Sequence, residues 1–128
     1  MSEIADFLRA RYAERRALAE AASPGPWHAN EEYDEVVAVD GITVAEGFAL
    51  SGRQLRATVE HIAVHDPLDV IADIDAKLWI VNAAEKLPEL TAAFDQFDNN
   101  RDAWTRTLRL FAQPFAGHPD HKGEEWAP

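Results

Sequence analysis

The sequence predicts an α+β fold, mostly helical, in which one β-hairpin at about residues 35–47 packs on a small helical bundle. Three observations lead there. Apolar residues recur at helical spacing through most of the chain. One stretch carries a hairpin signal, where Asp40-Gly41 separates Val36, Val37 and Val39 from Ile42, Val44 and Ala45. A length of 128 residues with 47% apolar and 27% charged residues suits a single soluble domain, residues 1–128, that needs no covalent staples.

Each element has its own local reason. Residues 3–22 form an amphipathic helix, with Ile4, Phe7, Leu8, Tyr12 and Leu18 near one face and Ser2 as a cap. Ser23-Pro24-Gly25-Pro26 ends it, because the residue before each proline is pushed out of the helical region. The Asp40-Gly41 pair predicts a two-residue type I′ turn with both residues at positive φ, and Trp27-His28-Ala29 adds a short third strand. A second helix starts at Ser51, with Gln54 completing a capping box and Leu50 and Leu55 placed as a hydrophobic staple. Leu55, Val59 and Ile62 form its buried face. Asp66-Pro67 is a cap followed by a favoured first residue, so a third helix begins there. It runs to about Lys86, where Pro88 breaks or kinks it. Leu90, Phe94 and Phe97 suggest a short fourth helix ended by Asn99-Asn100, and Trp104, Leu108 and Phe111 a fifth. Residues 113–128, rich in proline and glycine, read as an extended tail pinned by Phe115 and Trp126.

Composition narrows function by exclusion. There is no cysteine, so disulfides, thiolate nucleophiles and thiolate metal sites are out. Twelve basic residues against 23 acidic ones leave a net charge of −11, which argues against nucleic acid and anionic membrane as partners. No apolar run reaches the ~20 residues of a membrane span, and the acidic start is unlike a signal peptide. The expected location is the cytoplasm.

The candidate metal ligands are His61, His65, Asp66, His118 and His121. On a helix, His61 and His65 share one face at the spacing by which two zinc ligands are presented. Neither metalloprotease signature is complete, because Ile62 follows the first histidine and Val64 precedes the second. The competing reading places both imidazoles at a helix C-terminus, where they cap and meet the dipole favourably. Ser51 has a capping role, and no Gly-x-Ser-x-Gly pattern surrounds it. Trp27, Trp79, Trp104 and Trp126 are candidate interaction residues, set against the ordinary reading of tryptophan as core.

Four motifs in order carry a resemblance: Ser23-Pro24-Gly25-Pro26-Trp27, Ser51-Gly52-Arg53-Gln54-Leu55-Arg56, His61-Ile62-Ala63-Val64-His65-Asp66-Pro67, and His118-Pro119-Asp120 ahead of Glu124-Glu125-Trp126. The chain resembles a family of small uncharacterised proteins of actinobacteria and their phages. The resemblance implies no activity and transfers no catalytic residue.

The expectation is a non-enzymatic interaction or accessory protein without a cofactor, acting on an unknown protein partner or by self-association. One alternative is a protein that binds zinc or another divalent metal, or a metal-dependent hydrolase, using His61 and His65. A second is an acidic mimic of nucleic acid, which the charge of −11 permits.

Overall fold

A computed structural model describes residues 2–91 and 98–128. Four helices, α1 (Ser2–Ala21), α2 (Gly52–Val64), α3 (Pro67–Thr91) and α4 (Asp98–Ala112), accompany three short strands, β1 (His28–Ala29), β2 (Glu35–Val37) and β3 (Thr43–Glu46). The class is α+β, as the patterning predicts. Within the chain two compact units stand out, residues 15–73 and residues 1–14 with 74–128. Among the described residues no helix is long and apolar enough to cross a membrane.

Residues 15–73 form the hairpin unit. The sheet order is β1-β2-β3, antiparallel throughout, with Ala29 opposite Val36 and Val36 opposite Ala45. Side chains alternate across a strand, and Val36 points into a small core with Val59 and Ala63 of α2. Trp27, Ala29, Val44, Ala45, Leu55 and Ile62 surround it. The predicted face of α2 is therefore correct, with Ala63 added.

The hairpin turn differs from the expected type. Gly41 N–H donates to the Ala38 carbonyl and Ala38 N–H to the Ile42 carbonyl, which encloses three residues instead of two. Only Gly41 of the pair has positive φ, at 84°. This is the loop in which a tight turn is closed by a left-handed glycine. Asp40 serves it differently, accepting the Ile42 N–H on its carboxylate. The β1–β2 connection is organised by Asn30, whose side-chain oxygen accepts the Asp34 and Glu35 N–H groups.

The start of α2 follows its sequence signals in part. Ser51 Oγ accepts the Gln54 N–H at 3.2 Å. The staple does not form, because Leu50 is fully exposed while Leu55 packs on the core. Gly47, just before, is wedged against α2. A Cβ there would come 2.8 Å from Val59 and 2.9 Å from Leu55.

Residues 1–14 and 74–128 form the second unit. Phe7, Leu8 and Tyr12 of α1 are buried here, as expected, whereas Leu18, in the hairpin unit, is exposed and Ala19 takes the inner position. Ile74, Val81 and Ala84 of α3 and Leu108 and Ala112 of α4 are buried too. The third helix does not stop near Lys86. It passes through Pro88 to Thr91, although proline removes one helical hydrogen bond. Burial of Ile74, Val81 and Ala84 on the same helix offsets that cost. Leu90 thus belongs to α3, while Phe94 and Phe97 of the expected fourth helix lie outside the described residues. Asn99 and Asn100 lie inside α4 instead of ending a helix before it.

The tail after Ala112 is not extended. Two 3₁₀ turns, Gln113–Phe115 and Gly123–Trp126, are joined by further turns in which His118 N–H donates to Phe115 and His121 N–H to His118. Prolines 114 and 119 fix φ at values these turns use, so the same residues that argue against a long helix build tight turns. Phe115 and Trp126 are buried, as expected.

Candidate functional site

Two of the four sequence motifs meet at one carboxylate. Asp66 is buried, and its two oxygens are divided between separate duties. One accepts the Asp69 N–H at 2.9 Å and caps α3. The other accepts the Trp27 N–H at 3.0 Å and anchors the Pro-Gly-Pro-Trp turn. The Trp27 indole N–H donates to the Ser23 carbonyl at 2.9 Å, closing that turn on itself. Gly25 makes the approach possible, since a Cβ there would come 3.0 Å from Leu68 and 3.2 Å from the Asp66 carboxylate. Asp66, a candidate metal ligand, thus holds two backbone segments together. Half-buried Trp27 lines an open cavity of about 680 Å³ with Tyr33, Glu60 and Val64. It also lines a smaller one of about 300 Å³ with Leu18, His65 and Val70.

His61 and His65 stand exposed at the end of α2. His65 is the C-cap residue, and its backbone N–H donates to Ile62. Its Nδ1 lies 2.7 Å from the His61 carbonyl oxygen. The oxygen can only accept, so Nδ1 carries the hydrogen there. The ring centroids of the two histidines are 4.6 Å apart.

His118 and His121 belong to the other unit and are built into a clasp around Phe7. The Phe7 ring meets His118, His121, Phe115 and Trp126 edge to face at centroid distances of 5.0–6.1 Å. Each histidine closes a small turn through Nδ1. His118 accepts the Asp120 N–H at 3.0 Å and His121 the Gly123 N–H at 2.9 Å. Buried Arg11 lies over Phe7 with its guanidinium carbon 5.1 Å from the ring centroid. It donates to Glu14 at 2.9 Å and lies against both nitrogens of His118, at 2.6 and 2.9 Å. Two buried nitrogens, Arg11 Nε and His121 Nε2, have no hydrogen-bond partner among the described residues. The His121 ring stands nearly perpendicular to those of Phe7 and Trp126, at centroid distances of 5.8 and 5.2 Å.

Arg9 and Lys122 add further ion pairs to this unit. Arg9 donates to Glu85 and to Asn82. That hydrogen bond holds the Glu85 carboxyl below its ordinary range and raises the Arg9 guanidinium. Lys122 donates to Glu3 at 2.6 Å, lowering Glu3 and raising Lys122 in the same way.

Among the described residues no group of three or more His, Asp or Glu is arranged to hold one metal ion. Of the candidate interaction residues, Trp126 is buried, Trp27 and Trp104 are half-buried, and Trp79 is 71% exposed. Sequence reading missed Arg11, Asn30 and the exposed Phe48. The i,i+3 spacing of Arg11 and Glu14 announces that pair, but not the contact of Arg11 with His118.

The whole chain, residues 1–128, matches a family described as "Family of unknown function (DUF6221)", and it belongs to that family. No curated protein and no solved structure matches it.

Proposed function

We propose that this member of DUF6221 is a non-enzymatic interaction protein that docks a partner on its hairpin unit. One observation carries the reading. Phe48 is 85% exposed and Leu50 is 103% exposed, yet the segment bearing them is fixed at both ends. On one side Gly47 donates its N–H to the Asp34 carbonyl at 2.7 Å and is wedged against α2. On the other, Ser51 caps α2. Leaving a phenylalanine and a leucine in water forgoes about 1.5–3 kcal/mol each relative to burial. Large apolar side chains held in water on a rigid support favour a binding surface over a frayed loop.

Charge supports a basic partner. Residues 15–73 hold eleven acidic and four basic residues, a more negative balance than the rest of the chain. Such a field speeds encounter with a positive surface and repels nucleic acid. The motif resemblance supports an accessory role in actinobacteria or their phages, and the cytoplasm is the location that suits this reading.

Photocrosslinkers placed at Phe48 and Leu50 in the source cell test it. Discrete adducts of defined mass that disappear when the other position is changed to serine are expected. A crosslinker at exposed Gly52 serves as the control. Equal, diffuse labelling from all three positions would sink the idea.

A further inference from the structure

The end of α2 carries two neighbouring imidazoles at the spacing of a helical metal-ligand pair. His61 and His65 are exposed, and their ring centroids are 4.6 Å apart. Two imidazoles that chelate one zinc place their nitrogens about 2.0–2.1 Å from the ion at near-tetrahedral angles, which sets the ring centroids about 5 Å apart. The observed 4.6 Å is close to that separation, and chelation requires the free nitrogens of both rings to turn toward one ion.

The tautomer of His65 is also the productive one. Because Nδ1–H is committed to the His61 carbonyl, the lone pair of the neutral ring sits on Nε2. A carbonyl that holds the far N–H is the usual way in which a metal-ligating histidine is oriented. Purely imidazole donors suit zinc and its late-transition neighbours, not magnesium or calcium.

Two imidazoles fill half of a tetrahedral set. We infer that a second copy of this chain supplies the other half, with one zinc ion on a two-fold axis held by His61 and His65 of each copy. A two-fold axis through the ion turns one chelating pair into two facing pairs, which is a complete four-nitrogen site. The neighbouring side chains suit such a contact. Val64, adjacent to His65 in the chain, and Leu68, three residues on, are 62% and 56% exposed. Charge ties association to the ion: each chain carries −11, so two copies repel, and a divalent cation at the contact offsets part of that repulsion. This inference does not depend on docking at Phe48 and Leu50.

The test uses the full chain without a histidine tag, stripped of metal and titrated with zinc. Light scattering on a sizing column gives the mass, and elemental analysis of the same peak gives the stoichiometry. The expected result is a doubled mass with one zinc per two chains, reversed by EDTA. His61→Ala and His65→Ala each abolish the doubling, and His61→Gln does the same while keeping a helix-forming side chain. Circular dichroism checks that the fold is kept. His28→Ala, an exposed histidine elsewhere in the unit, leaves the dimer intact, as does the Phe48→Ser/Leu50→Ser pair. One zinc per chain without a mass change, doubling that survives His61→Ala, or no retained zinc would each overturn the inference.

Discussion

The side chains that tie backbone segments of the hairpin unit together are short, while those that reach across the second unit are long. In residues 15–73, Asn30, Ser51 and Asp66 hold backbone N–H groups with side chains of one or two rotatable bonds. In the other unit, Arg9, Arg11 and Lys122 reach across to Glu85, His118 and Glu3. A long charged side chain forfeits about 2 kcal/mol of rotamer entropy when held still, and its exposed ion pairs are screened by salt. The second unit compensates with aromatic area: Phe7 meets four other rings. The two regions therefore differ in what each can least afford to lose, a large side chain in one and a small acceptor in the other.

Substitutions can break or sharpen that contrast. Phe7→Ala removes the ring on which the clasp is built and is expected to cost about 3–5 kcal/mol, read from urea unfolding. A cost under 1 kcal/mol would mean that the aromatic cluster is not the main support. Asp66→Ala leaves the Trp27 and Asp69 N–H groups without their acceptor and should cost about 2 kcal/mol. Asp66→Asn keeps one acceptor oxygen and should recover part of the loss, which a purely electrostatic role would not allow. Gly47→Ala forces a methyl against Val59 and Leu55 and should cost about 1–2 kcal/mol in thermal unfolding.

Glu85→Gln is the smallest effect, about 0.5 kcal/mol after solvent screening, because the Glu85 side chain is 35% exposed. Its pH dependence is diagnostic. Arg9 lowers the carboxyl in the folded state, so the contribution is complete above the ordinary carboxylate range. It is lost as pH falls through the lowered value. The stability difference between wild type and Glu85→Gln should vanish in that acidic window. A difference that persists there would assign the effect to packing.

The same contrast decides what could be read in advance. Ser51 with Gln54, Asp66-Pro67 and Ser23-Pro24-Gly25-Pro26 act within four residues, so local spacing exposed them. The hairpin was legible from Asp40-Gly41, but its turn type depended on a hydrogen bond between Ala38 and Ile42 that the pair alone does not specify. The break expected at Pro88 does not occur, because a helix break is a local argument and burial along α3 is not. The second duty of Asp66 spans 39 residues, from Trp27, and the Arg11–His118 contact spans 107. His61 and His65 were legible as a pair. The orientation of His65 Nδ1 was not.

The clasp has a consequence for the order of events during synthesis. Phe7 is made well before its contacts Phe115, His118, His121 and Trp126, which lie far along the chain. Residues 15–73, by contrast, are contiguous and have all their internal partners once position 73 has emerged. The hairpin unit can thus assemble on the ribosome while the opening turns of α1 still lack the rings that cover them. Closing a loop of more than a hundred residues adds only slowly to the entropic cost, so the delay is one of timing more than of stability. Until those rings emerge, the apolar face around Phe7 stays without the cover they provide.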